Sequence, residues 1–254
     1  YNCKNCNLIY ISPWHNNTID YYKNDVTSSP SKYYLRSAKV DERVFERRLL
    51  LFNNYCTKDS FLDIGCNIGT LLDVARGNGW KKVLGIEPNP WAADKCLKRG
   101  IQVYNEFFSS KLAERLVSRF DAIYLGDVIE HVTNPNDVVK GMHIALKDGG
   151  IAVVATPNFD SFVTRLFQIK PKEHILYFRK SSLKYLFQSH GFRIMMLEKT
   201  TRERSMNAMV HGTTIKLWWQ KCLIRLIHIF HLEVIISNLI KAFVKDEILM
   251  IVEK

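Results

Sequence analysis

The sequence has few of the features that mark a secreted, membrane-spanning or disordered protein. It contains six cysteines in 254 residues, and only Cys3 and Cys6 stand close together. This pattern excludes a disulfide framework and predicts a reducing, cytoplasmic location. The most apolar stretch, residues 222–240, is interrupted by charged and histidine side chains, so it is a poor membrane span. With 47% hydrophobic and 24% charged residues, the composition is that of a globular protein.

Acidic side chains are scarce, and the shortage is uneven. The chain has 36 Lys and Arg against 25 Asp and Glu, which gives a net charge of +11. Residues 1–160 carry 20 basic and 18 acidic side chains, whereas residues 161–254 carry 16 and 7. The excess therefore predicts an anionic partner that contacts the last third of the chain. Nucleic acid, a phosphorylated metabolite and a membrane surface would all satisfy this charge.

From Ser60 onward, short apolar segments alternate with segments of helical periodicity. The predicted strands are 61–64, 82–87, 101–104, 121–126 and 151–156. The predicted helices between them are 69–77, 90–99, 109–118 and 135–146. Buried strands that alternate with helices predict an α/β fold with a doubly wound parallel sheet. Ligands of such sheets bind beyond the carboxyl ends of the strands.

The two ends of the chain differ from this alternating region. Residues 1–40 lack sustained periodicity and predict an irregular arm, whereas residues 41–254 are interpreted as one domain. Residues 201–244 predict a helical insertion before a last strand at 247–252. Within it, residues 216–232 form a basic amphipathic helix that could cover the substrate side, join a homodimer or lie on an anionic membrane. We favour packing within the protein.

The first motif that indicates chemistry is the loop at residues 63–69, which has the sequence DIGCNIG and joins a strand to a helix. Glu87 ends the next strand, 18 residues after Gly69, where a carboxylate can accept both ribose hydroxyls of a nucleoside. The loop lacks G-x-G-x-x-G, because Asn67 stands where a middle glycine would be. Asp63 discourages phosphate and favours a cationic ligand such as S-adenosylmethionine. A purely structural glycine turn is the alternative.

Several motifs in the same order resemble those of the class I S-adenosylmethionine-dependent methyltransferases. The loop and Glu87 resemble the family's first motif and ribose-binding acid. Residues 120–132 resemble the fourth-strand motif of the ubiquinone-biosynthesis O-methyltransferases, and 146–158 resemble the fifth-strand segment. Residues 173–192 resemble a signature of methyltransferases from sugar and polysaccharide pathways. The resemblance implies a Rossmann-like, seven-stranded mixed sheet with an antiparallel C-terminal strand.

The resemblance also implies which residues hold the cofactor. They form four groups in chain order, which are the glycine loop, the ribose acid with its neighbours, the adenine side and the end of the fourth strand. The implied residues are Asp63, Gly65, Cys66, Asn67 and Gly69; Glu87, Pro88 and Asn89; Asn105, Glu106 and Phe107; and Gly126 and Asp127.

Two histidines are candidates for the general base that a hydroxyl acceptor needs near neutral pH. His131 follows Glu130, itself a third catalytic candidate, just past the fourth strand, and His174 lies in the segment expected to cover the pocket. Structural roles are the alternatives, with His131 orienting the next helix and His174 fixing its own segment. A divalent ion at Glu130 and His131 is disfavoured, because two adjacent ligands are weak evidence for a metal site.

Cys3 and Cys6 form half of a tetrahedral zinc site, and no second pair follows at suitable spacing. Residues 3–13 resemble the end of an amino-terminal zinc ribbon found in related methyltransferases. The chain begins at Tyr1, so we expect that a second pair, and with it zinc, would occur only in a longer protein. Two free thiols are the preferred interpretation for the sequence as it stands.

These features together predict an enzyme that transfers a methyl group to a small-molecule acceptor. The favoured reaction is O-methylation of a sugar or related anionic metabolite, nucleotide- or lipid-linked, in carbohydrate biosynthesis. DNA is not expected as a partner, because residues 126–129 read GDVI where amino-directed base methyltransferases have Asn/Asp-Pro-Pro-aromatic. RNA ribose methylation and a non-enzymatic cofactor-binding protein are the alternatives. Peripheral contact with a membrane is left open.

Overall fold

The computed structural model describes residues 1–13, 41–167, 169–171, 173–201 and 245–254. Most of the predicted arm, and almost all of the predicted helical insertion at 201–244, lie outside these residues. The basic helix predicted at 216–232 lies outside them too. Within the described parts, no helix is both long and apolar enough to cross a membrane.

A seven-stranded mixed sheet forms the centre of the fold, in the order β4-β3-β2-β5-β6-β9-β8. The five strands β4, β3, β2, β5 and β6 are parallel to one another, and β9 runs antiparallel between β6 and β8. This arrangement confirms the predicted fold class. The strands in chain order are β1 Ile9–Tyr10, β2 Ser60–Ile64, β3 Lys82–Ile86, β4 Val103–Tyr104, β5 Phe120–Gly126, β6 Leu146–Pro157, β7 Leu176–Tyr177, β8 Arg193–Thr200 and β9 Glu247–Glu253.

Helices connect the strands and cover both faces of the sheet. Asn89 and Asn134 begin two of them, because their side-chain oxygens accept backbone N–H bonds from the first turn and a proline follows each. The helix predicted at 109–118 is shorter, since a single 3₁₀ turn at Glu114–Leu116 replaces its second half. The helices are α1 at residues 41–50, α2 Thr70–Gly77, α3 Pro90–Leu97, α4 Ser110–Ala113, α5 Pro135–Ala145, α6 Phe162–Phe167 and α7 Lys180–Gln188.

Two hydrophobic clusters lie on opposite faces of the sheet, as expected for a doubly wound fold. In β5, Ile123 and Leu125 belong to one cluster, whereas Tyr124 belongs to the other. Phe52, just after α1, packs edge-on against Phe61 of β2 with ring centroids 5.5 Å apart. Residues 41–55 therefore lead into the core, with 41–50 as α1 and the last five residues as turns.

The first residues of the chain are joined to the body by a second, two-stranded sheet. Strand β1 pairs antiparallel with β7, with Ile9 opposite Tyr177 and Tyr10 opposite Leu176. This short strand departs from the prediction that residues 1–40 are irregular throughout. The pairing also fixes β7, and therefore His174 just before it, at the edge of the central sheet.

Candidate active site

The loop after β2 turns through three residues with left-handed backbone conformations. The φ angles are 77° at Gly65, 48° at Asn67 and 79° at Gly69. Asparagine tolerates this region better than most residues, which explains how Asn67 replaces the glycine of the more familiar spacing. Its side-chain oxygen also accepts the N–H of Ile68 at 2.7 Å. The departure noticed in the sequence therefore leaves the loop intact.

Close packing around the loop leaves no room for larger residues at its glycines. A Cβ on Gly65 would lie 2.4 Å from Cγ2 of Val128, just beyond β5. A Cβ on Gly69 would lie 2.9 Å from both Cys96 Sγ and Ile101 Cδ1. The glycines thus allow the loop backbone to approach the ends of the neighbouring strands, and this proximity joins the loop to the fourth-strand motif.

Glu87 is buried at the end of β3, and backbone amides hold its carboxylate in place. Its Oε2 accepts the N–H of Asn67 and its Oε1 accepts the N–H of Asn89, each at 2.8 Å. Asn105 donates its side-chain amide to the backbone carbonyl of Glu87, also at 2.8 Å. Each carboxylate oxygen keeps lone-pair capacity for a hydroxyl donor. The side chain is therefore positioned to accept from a diol.

Asp63, the last residue but one of β2, is the second buried carboxylate of this region. Burial and the nearby charge of Glu87 raise its pKa well above the ordinary value. Burial also raises the pKa of Glu87, against the opposing effect of its two backbone hydrogen bonds. Two buried acids side by side favour a ligand that brings positive charge together with hydroxyl donors.

The residues predicted on the adenine side lie at the rim of this region. The Glu106 carboxylate forms an ion pair with Arg115 at 2.9 Å, and both side chains are about half exposed. Phe107 is 41% exposed. Pro88 is half-buried between Glu87 and Asn89, and Asn89 caps α3. The structure thus places Glu106 and Phe107 where they could border a ligand but not enclose one.

Gly126 and Asp127 end β5 at the same edge of the sheet. Gly126 lies against the Tyr124 ring, which a Cβ would approach to 2.4 Å. Asp127 has a left-handed φ of 56° and an exposed side chain. These two residues lead directly from the loop region into the turn that carries Glu130 and His131.

The structure brings together the three predicted catalytic candidates Glu130, His131 and His174. One ligand atom from each lies within 4.8 Å of the others, and the two imidazole rings meet edge to face with centroids 4.7 Å apart. Backbone bonds make this proximity possible, because the N–H groups of Ile175 and Leu176 both donate to the Glu130 carbonyl at 3.0 Å. Residues separated by more than 40 positions therefore form one cluster.

The hydrogen-bond partner of His131 sets its tautomer. Nδ1 lies 2.7 Å from the backbone oxygen of Glu173, and a carbonyl can only accept, so Nδ1 carries the hydrogen. The lone pair then resides on Nε2, which lies 3.9 Å from Oε1 of Glu130. Burial lowers the pKa of His131 to about 4. His131 is therefore neutral at pH 7 and able to accept a proton at Nε2.

Glu130 is buried, and burial raises its pKa to about 7. Its Oε2 accepts the hydroxyl of Thr156 at 2.9 Å, whereas its Oε1 has no hydrogen-bond partner among the described residues. Thr156 was not among the predicted site residues. The available signal was a polar residue directly after the apolar run 151–155 of β6.

The same cluster has the composition of a three-ligand metal site, since carboxylate and neutral imidazole both bind divalent transition ions. The sequence disfavoured a metal because it offered two adjacent ligands. The fold adds His174 as a third, so the donor set alone no longer argues against an ion.

Cys3 and Cys6 lie in a tight turn away from this cluster. The turn is closed by a bond of 2.9 Å from the Asn7 N–H to the Cys3 carbonyl. Backbone N–H groups of Cys6 and Asn5 lower the pKa of the Cys3 thiol. No further potential ligand joins them among the described residues, and the zinc site stays a prediction.

Comparison with known proteins identifies the family to which the chain belongs. A family of methyltransferase domains matches residues 36–197, which is more than half of the chain. The chain belongs to the class I S-adenosylmethionine-dependent methyltransferases. A methyltransferase of this family from Archaeoglobus fulgidus has the same fold, with a TM-score of 0.60 at 20% identity over 87% of this chain and 99% of that one.

Two relatives of known activity are similar to this methyltransferase over part of its length. The C-methyltransferase NovU of Streptomyces niveus is 26% identical over 62% of this chain and 36% of its own. A ubiquinone biosynthesis O-methyltransferase of Pseudomonas aeruginosa is 31% identical over 45% of this chain and 51% of its own. The chain therefore spans about half, or less, of the curated relatives that it matches.

The family implies S-adenosylmethionine as the cofactor, and the described residues fit it. The cofactor carries a sulfonium, an α-ammonium and a ribose diol, but no phosphate. The buried carboxylates of Asp63 and Glu87 suit these groups, and Gly65 and Gly69 let the ligand approach the backbone. This methyltransferase would hold the ribose at Glu87 and the methionine end near Asp63.

Proposed function

We propose that this protein transfers the methyl group of S-adenosylmethionine to a small-molecule acceptor bound at the Glu130, His131 and His174 cluster. The observation that carries the proposal is the held tautomer of His131, whose Nε2 lone pair lies beside Glu130. His131 lies one turn beyond the end of β5, and the residue Val128 after this strand packs against the cofactor loop. Base and cofactor thus share one edge of the sheet.

When bound, S-adenosylmethionine supplies an electrophilic methyl carbon. The protein's own part is to align the acceptor, exclude water and remove a proton. His131 accepts that proton at Nε2, and the imidazolium that forms is stabilised by the Glu173 carbonyl at Nδ1 and by the Glu130 carboxylate. Thr156 positions Glu130 through the hydroxyl bond to Oε2. His174 covers the His131 ring edge to face and narrows access to it.

For the acceptor we propose an anionic metabolite, with O-methylation of a nucleotide- or lipid-linked sugar as the favoured reaction. The charge distribution supports this proposal, because residues 161–254 carry 16 basic and 7 acidic side chains. The relatives act on carbon in one case and belong to an O-methylation step in the other. Either acceptor atom needs a base beside the methyl group, so the cluster is compatible with both. We propose that the reaction takes place in the cytoplasm. Homodimer formation and peripheral membrane contact are two further hypotheses.

The decisive experiment is incubation with methyl-labelled S-adenosylmethionine and separated acceptor fractions. The fractions are neutral sugars, nucleotide sugars, lipid-linked glycans and RNA, and the labelled product is identified by mass spectrometry. We expect label in the nucleotide-sugar or lipid-linked fraction. Label confined to neutral sugars would refute the anionic acceptor, and label in RNA would establish the alternative of ribose methylation. If calorimetry detects no binding of S-adenosylhomocysteine, the proposal that this protein catalyses methyl transfer is refuted.

A chelator distinguishes a proton-accepting His131 from a metal-binding one. With the acceptor found above, we expect turnover to be unchanged after dialysis against EDTA, because a neutral His131 acts without an ion. Turnover that is lost to EDTA and restored by a divalent cation would instead assign the cluster to a metal. Metal analysis of the protein before this dialysis tests whether zinc is bound at Cys3 and Cys6.

A further inference from the structure

Two cysteines that the proposed mechanism does not use meet at the cofactor loop. Cys66 lies in the loop itself and Cys96 lies in α3, thirty positions later. Both thiols point at one atom, the backbone oxygen of Asn67, with Sγ–O distances of 3.7 Å for Cys66 and 3.2 Å for Cys96. The neighbouring Cys96 thiol raises the pKa of Cys66. The fold therefore builds a dithiol under the residue at the centre of the loop.

Neighbouring glycines make the space that the two sulfurs occupy. A Cβ on Gly85 would lie 2.5 Å from Sγ of Cys66, and a Cβ on Gly69 would lie 2.9 Å from Sγ of Cys96. Cys66 is 5% exposed and Cys96 is fully buried. Both sulfurs are thus packed between strands β2 and β3 and helix α3, and this packing keeps them in place.

We propose that Cys66 and Cys96 are a redox-sensitive pair, which a peroxide converts to a disulfide that weakens cofactor binding. One thiol attacks an oxygen of hydrogen peroxide and becomes a sulfenic acid, and water leaves. The second thiol then attacks the sulfenic sulfur, the S–S bond forms and a second water leaves. The two sulfurs together lose two electrons and two protons, and one peroxide is reduced to two waters.

Weakened binding follows from what the loop holds, and this step rests on the proposed function. The Asn67 N–H donates to Oε2 of Glu87, and the Asn67 carbonyl accepts from both thiols. A disulfide removes both thiol hydrogens and draws the sulfurs to bonding distance. The Asn67 carbonyl then loses its two donors, and the loop must shift away from the geometry that supports the ribose acid.

The cofactor should in turn protect the pair. The thiolate is the reactive form, and burial with nearby acids raises the pKa of Cys66 well above its usual value. Oxidation is therefore expected mainly when the loop opens, and a bound ligand would hold it closed. We expect S-adenosylhomocysteine to slow disulfide formation by about tenfold or more.

The experiment treats the whole protein with hydrogen peroxide, with and without S-adenosylhomocysteine, and maps disulfides after trypsin digestion. The expected product joins peptide 59–76, which contains Cys66, to peptide 96–98, which contains Cys96, and is lighter by two hydrogens than the two peptides together. A link between peptides 1–4 and 5–23 reports Cys3 and Cys6, and serves as proof that oxidation took place. Calorimetry should give an S-adenosylhomocysteine affinity about tenfold weaker in the oxidised sample, restored by dithiothreitol.

Two variants separate the pair from other thiols. Cys96→Ser should abolish the 59–76 to 96–98 link and make cofactor affinity insensitive to peroxide. Cys56→Ser, at a half-buried thiol outside the loop, should change neither. The proposal is overturned if Cys3 and Cys6 oxidise fully while the 59–76 to 96–98 link is absent, or if that link forms and affinity stays constant. If the reduced protein does not bind S-adenosylhomocysteine, the proposed function is refuted. The disulfide between peptides 59–76 and 96–98 can still be detected by mass spectrometry in that case.

Discussion

The two halves of the candidate active site are built by different means. In the cofactor half, backbone groups hold the functional acid, because the amides of Asn67 and Asn89 fix the Glu87 carboxylate. In the acceptor half, side chains from segments more than 40 positions apart meet, as the His131 and His174 rings do. The first half depends on loop conformation and spacing, and the second depends on the fold as a whole.

This difference suggests that the halves should respond separately to mutation. Backbone-held sites lose affinity when the loop is disturbed, whereas side-chain clusters lose turnover when one member is removed. Variants of the two halves should therefore separate binding from turnover.

Replacing His131 with alanine should separate turnover from binding most clearly. We expect turnover to fall by about 10²- to 10⁴-fold, the usual contribution of a general base. Affinity for S-adenosylhomocysteine should change by less than about threefold, because the Nδ1 hydrogen bond that fixes the His131 ring goes to the Glu173 carbonyl and Glu87 is held by other groups. Methyl-transfer kinetics and calorimetry measure the two quantities.

A second histidine provides the control for this variant. His190→Ala, at the end of α7, removes a histidine whose Nδ1 lies near the Leu186 carbonyl, and it should leave turnover unchanged. If His131→Ala and His174→Ala both kept near-normal turnover, neither histidine would be the base. If His131→Ala weakened cofactor binding as much as turnover, the two halves would not be independent.

Glu87→Gln is the reciprocal test in the cofactor half. The amide keeps one acceptor but turns an NH₂ toward a backbone N–H, so both the ribose contact and the loop lose support. We expect S-adenosylhomocysteine binding to weaken by about 100-fold, equivalent to about 3 kcal/mol. Asp94→Asn, on the exposed face of α3 in an ion pair with Lys98, is the matched acid and should bind normally. Equal losses in both variants would mean that general charge, rather than Glu87, controls binding.

The contrast between the halves also explains what could be predicted from sequence. The loop, Glu87 and the alternation of strands with helices follow from spacing along the chain, and Asn89 and Asn134 mark their helix starts by capping. The bonds from Thr156 to Glu130 and from His131 to the Glu173 carbonyl could not be predicted, because each joins positions that are far apart in the sequence. The pairing of β1 with β7 was missed for the same reason, since two residues carry no readable period.

Gly65→Ala tests how far the cofactor half depends on backbone shape. The φ of 77° disfavours alanine, and the added Cβ would lie 2.4 Å from Val128. We expect a loss of about 2–3 kcal/mol in the free energy of unfolding, measured in urea. Val128→Ala in the same chain should recover the steric part only. Gly77→Ala, where a Cβ meets nothing within 4 Å, should be neutral or slightly stabilising. Equal effects at Gly65 and Gly77 would contradict the conformational argument.

Glu130→Gln tests whether the acceptor half retains its buried acid at the expense of stability. The folded-state pKa of about 7 lies above the ordinary 4.5, so the folded state holds the proton more tightly than the unfolded state. The stability from this group is fully present below pH 4.5 and is lost as the pH rises through 7. Glutamine cannot ionise and still accepts from Thr156. The variant should therefore match the wild type near pH 4.5 and exceed it at pH 8 by on the order of 2 kcal/mol. Urea unfolding at several pH values measures this difference, and parallel curves for the two proteins would show that folding does not raise the pKa of Glu130. If Glu130→Gln is more stable than the wild type but slower at pH 8, then the Glu130 carboxylate contributes to turnover and not to stability. The acceptor half would differ in this respect from the backbone-held cofactor half.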